Sequence, residues 1–181
     1  MRIPTLLLAA SVLTLSACGK ETKPPAATAE AARETSLGLA IGETPELAML
    51  AKALTATGLA AMFDGKGTYT VLAPTDGAFA ALGDKGKALM EPEQKAALAA
   101  VLRDHVLPGA LTAEDIGKAI DAGGGKPVKM RTLGNGSVAF SRDGTKLRVT
   151  AADGASAELT GSTLSGTNGG ALTIDKVLKK V

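Results

Sequence analysis

The stretch YTVLAPTDGAF, residues 69–79, changes from a strand pattern to a helix pattern within one short segment. Tyr69 to Ala73 favours a β-strand because it combines an aromatic residue with β-branched and other apolar residues. Pro74 ends this strand, since proline cannot donate a hydrogen bond to a sheet. Thr75 or Asp76 then supplies a capping oxygen for a short helix that carries Phe79 into the core. The segment therefore predicts a strand that runs directly into a helix.

Helices are predicted on both sides of this segment. Thr44-Pro45-Glu46 predicts a helix start, with a capping hydroxyl, a proline in the first turn and an acid near the positive end of the dipole. Gly58 predicts the end of that helix. Two more helices are predicted to begin at Pro92 and at Thr112, where Asp115 completes a capping box.

After residues 123–125, all glycine, the hydrophobic period changes to two, which is typical of strands. A glycine-rich loop, residues 161–170, is predicted before the last strand. The predicted strands are Val128–Leu133, Ser137–Ser141, Lys146–Ala151, Ala157–Thr160 and Ala171–Leu178. Helices in the first half and strands in the second predict an α+β fold with a mostly antiparallel sheet.

Three segments in this order resemble the signatures of the fasciclin-like domain. The first is residues 69–79, the second is LRDHVLPG at 102–109, and the third is NGGALTIDKVL at 168–178. The resemblance spans residues 44–181 and implies a compact domain whose helices pack on a β-wedge or small sandwich. It also implies adhesion or binding rather than catalysis, with no cofactor. The structural motif residues that it implies are Thr75, Asp76, Phe79, His105, Asn168 and Asp175.

Two positions depart from the family pattern. Asp104 stands where members that bind integrins often carry tyrosine, and Leu172 stands where the closing signature usually has a histidine. Integrin-type recognition is therefore not implied for this chain.

The N-terminus has the pattern of a bacterial lipoprotein. Met1 and Arg2 give a positive start, an apolar run follows, and the end, Leu15-Ser16-Ala17-Cys18, resembles a lipobox. We expect residues 1–17 to be a signal peptide, Cys18 to carry lipid, and residues 18–43 to be a flexible tether before the domain. An ordinary secretory signal with a chance cysteine is the alternative. Gly19 after Cys18 favours the outer membrane if the organism is Gram-negative.

The composition of the 181 residues excludes several functional classes. The chain has one cysteine, one histidine, no tryptophan and a formal net charge of +2. An internal disulfide and a multi-histidine metal site are therefore excluded. Nucleic-acid binding is not supported, because the chain has few aromatic rings on which bases could stack and is not strongly basic.

His105 is the strongest candidate for a catalytic residue, because a neutral imidazole can accept a proton near neutral pH. No GxSxG or SxxK motif supplies a nucleophile for it. The alternative, which we favour, is a structural histidine whose ring bonds the backbone or a carboxylate such as Asp76. Thr75 and Asp76 could likewise bind a ligand at a helix start, although capping explains both residue types.

Basic residues are concentrated in the strand-rich half. Lys129 and Arg131 lie two positions apart, as do Lys146 and Arg148, so each pair lies on one face of its strand. If the two strands are neighbours, one face of the sheet carries a basic patch that could contact an anionic polymer. The alternative is an ordinary solvated sheet face.

These features predict a lipid-anchored protein of the cell envelope that binds other macromolecules through surface contacts. The predicted partners are the membrane, through Cys18, and an anionic polysaccharide or another envelope or matrix protein. The tentative contact residues are Asp104, His105 and the two basic pairs. A carrier of a lipid or small apolar ligand is the alternative, and a continuous apolar cavity would favour it.

Overall fold

The computed structural model of the protein describes residues 35–180. Short 3₁₀ helices at Pro45–Leu47, Ala60–Asp64 and Pro92–Gln94 accompany the α-helices. The α-helices are α1 (Leu37–Gly42), α2 (Ala48–Thr57), α3 (Asp76–Ala80), α4 (Asp84–Leu89), α5 (Lys95–Asp104) and α6 (Ala113–Ala122).

The strands within residues 35–180 form one seven-stranded sheet in the order β2-β1-β7-β6-β5-β4-β3. Only β1 and β7 pair in parallel, and every other neighbouring pair is antiparallel. The strands are β1 (Tyr69–Pro74), β2 (Val106–Pro108), β3 (Val128–Arg131), β4 (Ser137–Asp143), β5 (Lys146–Ala151), β6 (Ser156–Gly166) and β7 (Gly169–Ile174). The predicted α+β class and mostly antiparallel sheet are confirmed.

Two hydrophobic clusters lie on opposite faces of β1 and β7. The first contains the buried residues of α1, α2, α3 and α5 together with Val71 and Ala171. The second contains α6, the inner faces of β4 and β5, and Leu72 and Leu172. Successive residues of a strand point to opposite faces, so the two central strands serve both clusters.

The local signals at several helix ends are confirmed. The Thr75 hydroxyl accepts from the Ala78 amide at 3.3 Å. Thr112 and Asp115 form the capping box, with both reciprocal bonds present. Gly58 ends α2 in the left-handed conformation at a φ of 75°, which glycine adopts without a Cβ clash.

The predicted tether boundary at residue 43 is wrong. Residues 36–42 form a capped helix, in which Ser36 accepts from the Leu39 amide. Leu37 and Ile41 lie four apart on one face and are almost fully buried in the first cluster. The Thr44 hydroxyl donates to the Ala40 carbonyl at 2.8 Å, and it accepts no hydrogen bond from the first turn of the helix that follows.

The predicted loop at residues 161–170 is also wrong. Strand β6 continues to Gly166 with an irregularity between Leu159 and Thr163, and β7 begins at Gly169. A Cβ at Gly169 would overlap the Tyr69 carbonyl, so glycine here permits the close approach of β7 to β1. Strand β7 ends at Ile174 instead of Leu178, and the short β2 was not predicted.

Candidate functional site

The His105 imidazole is buried where helix α5 ends, with 1 % of the residue exposed. Its Nδ1 lies 2.8 Å from the Val101 carbonyl, and its Nε2 lies 2.8 Å from the Leu178 amide nitrogen. The amide can only donate, so Nε2 is the acceptor and Nδ1 carries the hydrogen. Burial lowers the pKa of His105 from its ordinary value, against opposing contributions from the Val101 carbonyl and the Asp104 charge.

Both ring nitrogens of His105 are therefore used within the fold. The prediction that the ring bonds the backbone is confirmed, and the suggested partner Asp76 is wrong. Asp76 instead accepts from the Met49 amide at 2.8 Å and so connects α3 to the first turn of α2. A histidine with both nitrogens committed has no free position for a substrate proton.

Asp104 was predicted as a contact residue, but its carboxylate faces the loop between β3 and β4. Its Oδ1 accepts from the Thr132 hydroxyl at 3.1 Å. A Cβ at Gly134 or at Gly136 would crowd the same carboxylate. The two glycines thus allow the loop to pack closely over Asp104. The Asp104 carboxylate holds the loop in place through its hydrogen bond with Thr132.

The two basic pairs lie on the same face of the sheet, although their strands are not neighbours. Strand β4 lies between β3 and β5, with Ala139 opposite Lys129 and Ser141 opposite Arg148. A single continuous basic patch was predicted only if β3 and β5 were neighbours, and they are not.

Acidic groups neutralise the pair on β5. Lys146 contacts Glu158 at 2.9 Å, and Arg148 contacts Asp143 at 2.6 Å and Glu158 at 3.2 Å. The hydrogen bond with Glu158 raises the pKa of Lys146, and the same bond lowers the pKa of Glu158. This part of the sheet face is a mixed-charge network.

Lys129 and Arg131 have a different environment. Both are exposed on β3, the strand at one edge of the sheet. Neither forms an ion pair with any residue between 35 and 180. They are the members of the predicted basic set whose charges are available to a partner.

The closing-signature residues have structural roles. The Asn168 side chain accepts from the Leu37 amide at 2.8 Å and donates to the Phe63 and Gly65 carbonyls. Asp175 accepts from the Glu158 amide at 2.7 Å and so extends the contact between β7 and β6.

A surface hollow that sequence reasoning missed lies between α2, α3 and α4. Its volume is about 510 Å³, and it is lined by Met49, Asp76, Phe79, Ala80, Gly83, Gly86, Lys87 and Met90. Met49 and Met90 come from separate elements, so no periodic pattern in the sequence connects them. The motif that contains Asp76 and Phe79 was the sequence signal at this place. A ligand at Thr75 and Asp76 was considered there, but helix capping and a core position for Phe79 were the favoured interpretations.

Residues 35–180 contain neither a metal-binding cluster nor a membrane-spanning helix. No group of three or more histidine, cysteine or acidic side chains is arranged to hold a metal there. Over the same range, every helix is too short or too polar to span a membrane. The predicted signal peptide, Cys18 and the first part of the tether lie outside these residues.

The described residues define an α+β domain in which the motif residues serve the fold and the surface offers a charged edge and an apolar hollow. The family model of the fasciclin domain matches residues 45–180. The chain belongs to the fasciclin domain family, which is associated with adhesion and binding.

The proteins that are similar to the chain include a solved structure and a curated relative. A solved structure of a FAS1 domain pair from the insect cell adhesion molecule fasciclin I matches with a TM-score of 0.71 at 15% identity, over 82% of this chain and 52% of that one. Protein sll1483 from Synechocystis sp. (strain ATCC 27184 / PCC 6803 / Kazusa) is 40% identical over 68 residues. That match covers 37% of this chain and 38% of the relative. The chain thus spans about half the length of the fasciclin I domain pair and less than half the length of protein sll1483.

Proposed function

We propose that this protein is a lipid-anchored module of the cell envelope that binds other macromolecules through surface contacts and not through catalysis. Family membership supports a binding role. The observation that carries the proposal is the β3 edge, where Lys129 and Arg131 are exposed without acidic partners among residues 35–180. Unneutralised charges on an exposed edge attract an anionic polysaccharide or an acidic protein surface.

The lipid anchor is proposed from the sequence of residues 15–18. Several acyl chains on Cys18 hold a protein at a membrane far more firmly than one chain does. Anchoring would keep the charged edge at a high local concentration near the envelope surface. Gly19 supports the outer membrane as the location in a Gram-negative organism.

The test uses the full chain and separates anchoring from binding. The wild type is expected to incorporate labelled palmitate, and the Cys18→Ala form, which cannot be lipidated, is expected to incorporate none. In the Cys18→Ala background, Lys129→Glu with Arg131→Glu is expected to weaken binding to washed envelopes by roughly tenfold and to flatten its salt dependence.

The matched control changes the same charge elsewhere, at Lys52 and Lys66, which are exposed in the helical half. This Lys52→Glu, Lys66→Glu form is expected to bind like its parent. Equal losses in both double variants would mean that net charge, and not the β3 edge, governs binding. Absence of the palmitate label from the wild type, or equal labelling of the Cys18→Ala form, would contradict the anchor.

A carrier of a lipid or small apolar ligand is the second candidate function. The hollow between α2, α3 and α4 favours it, because an apolar concave surface of this size is typical of small-ligand sites. Adhesion through β3 and a ligand in the hollow use different surfaces, so each can be tested without the other.

A further inference from the structure

The hollow between α2, α3 and α4 owes its shape to two glycines. Gly83 begins α4 at a φ of 60°, in the left-handed region that favours glycine. Gly86 is buried, and a Cβ there would lie 2.8 Å from Leu82 Cβ and 2.9 Å from the Phe79 carbonyl. Helix α4 can therefore pack closely against α3 without filling the space beside it.

The wall of the hollow is apolar and deformable. Its apolar lining residues are Met49, Phe79, Ala80 and Met90. Methionine has three flexible bonds and a polarisable sulfur, so it adapts to ligands without a fixed shape. This surface favours a flexible hydrocarbon chain over a flat, rigid ring system.

Among the described residues, two charged side chains line the hollow, and their hydrogen-bond and ion-pair partners differ. The Asp76 carboxylate accepts the Met49 amide hydrogen bond. Lys87 is exposed and contacts only Asp84 among the salt bridges within residues 35–180, at 3.1 Å and with both side chains in solvent. A sugar or nucleotide would leave most of its polar groups without partners here, which is costly. One hydrocarbon chain with one anionic end would match the apolar wall and the Lys87 ammonium.

We propose that this hollow binds the single acyl chain of a fatty carboxylate, with the chain against Met49, Phe79 and Met90 and the carboxylate at Lys87. The proposal rests on the carrier function and assigns it a site and a ligand class. The volume of about 510 Å³ lies within the range of roughly 300–1,000 Å³ typical of small-ligand sites.

The test is a titration of the full chain, in its Cys18→Ala form, with dodecanoate below its micelle concentration. The protein carries ¹³C-labelled methionine methyl groups, and substitution of each methionine by leucine assigns the signals. Saturable shifts are expected for Met49 and Met90, which line the hollow. No shifts are expected for Met62 and Met130, which pack against the two core clusters.

Variants at neighbouring positions test the location of the site. Ala80 is exposed and lines the hollow, so Ala80→Phe is expected to fill it and to reduce dodecanoate affinity by at least tenfold. Ala81 is exposed but does not line it, so Ala81→Phe is expected to bind like the parent. Unchanged Met62 and Met130 signals in both variants verify that each is folded.

The charge at the rim is tested separately. Lys87→Glu is expected to weaken dodecanoate binding severalfold and to leave dodecanol binding unchanged, whereas Lys66→Glu is expected to affect neither. Equal loss for both ligands would overturn the role of Lys87.

The outcomes separate the site from the carrier function. Saturable binding that shifts only Met62 or Met130, or that survives Ala80→Phe, would overturn this site and leave the carrier function standing. Equal drift of all methyl signals without saturation, or no change at all, would overturn both.

Discussion

His105 joins helix α5 to the C-terminal segment through an uncharged ring. The Val101 carbonyl holds the hydrogen on Nδ1, so the lone pair of Nε2 accepts from the Leu178 amide. Protonation of Nε2 would place one donor against another and would charge a buried ring. The folded protein therefore binds this proton less readily than the unfolded chain does.

This difference predicts that the protein loses stability below about pH 6.5, the ordinary pKa of histidine. Below that pH the unfolded chain takes up the proton and the folded protein does not, until the lowered pKa is reached. Above about pH 6.5, His105 does not make the free energy of unfolding depend on pH. The contribution below it is at most about 1.4 kcal/mol per pH unit. Urea unfolding measured by circular dichroism at pH 7.5, 6.5 and 5.5 gives the slope.

The control for this prediction is His105→Gln, which has no titrating ring. At pH 7.5 it is expected to be less stable by about 1–3 kcal/mol, because buried backbone groups lose their partners. Its unfolding free energy should vary less with pH between 6.5 and 5.5 than that of the wild type. Identical pH slopes in the two proteins would contradict the assignment.

The sequence indicated the roles of single residues only where the cause is local. Thr75 and Thr112 cap helices within three residues of their own positions, so their patterns are visible in the chain. The bond from Thr132 to Asp104 could not be predicted, because the two residues are 28 positions apart. The ion pairs of Lys146 and Arg148 with Glu158 were not visible either, since Glu158 reaches these residues through strand pairing.

At the scale of elements, α1 is attached to the domain by both packing and hydrogen bonds. Leu37 is fully buried, and its amide donates to Asn168 at the turn between β6 and β7. Asn168 also binds the carbonyls of Phe63 and Gly65. Three segments distant in sequence therefore meet at one side chain, which the sequence alone could not reveal.

This attachment predicts different costs for two leucines of the same helix. Leu37→Ala is expected to lower the free energy of unfolding by about 2–5 kcal/mol, the usual range for a leucine fully buried in a core. Leu39 is 53% exposed, so Leu39→Ala is expected to change it by less than about 0.5 kcal/mol. Urea unfolding at pH 7.5 measures both. Similar small effects would mean that α1 belongs to the tether.

At the scale of the whole molecule, the two hydrophobic clusters share β1 and β7. Val71 and Ala171 face one cluster, whereas Leu72 and Leu172 face the other. Loss of either cluster would remove support from the same two strands. The clusters should therefore not be stable separately.

The prediction is that both clusters unfold in one transition. Met62 packs against the first cluster and Met130 against the second, so their methyl signals report on each. In a urea titration, the two signals are expected to lose their native positions at the same midpoint, as two-state unfolding requires. Two separate midpoints would show independent units.

The position of β7 also has a consequence for biosynthesis. It is the last strand to be translated, yet it lies between β1 and β6 in the sheet. A nascent chain therefore cannot close its sheet until nearly the whole domain has left the ribosome. Until then β1 and β6 each lack a neighbour, and contacts this far apart in sequence form slowly. Because its central strand comes so late in the sequence, this domain is expected to fold largely after its synthesis rather than during it.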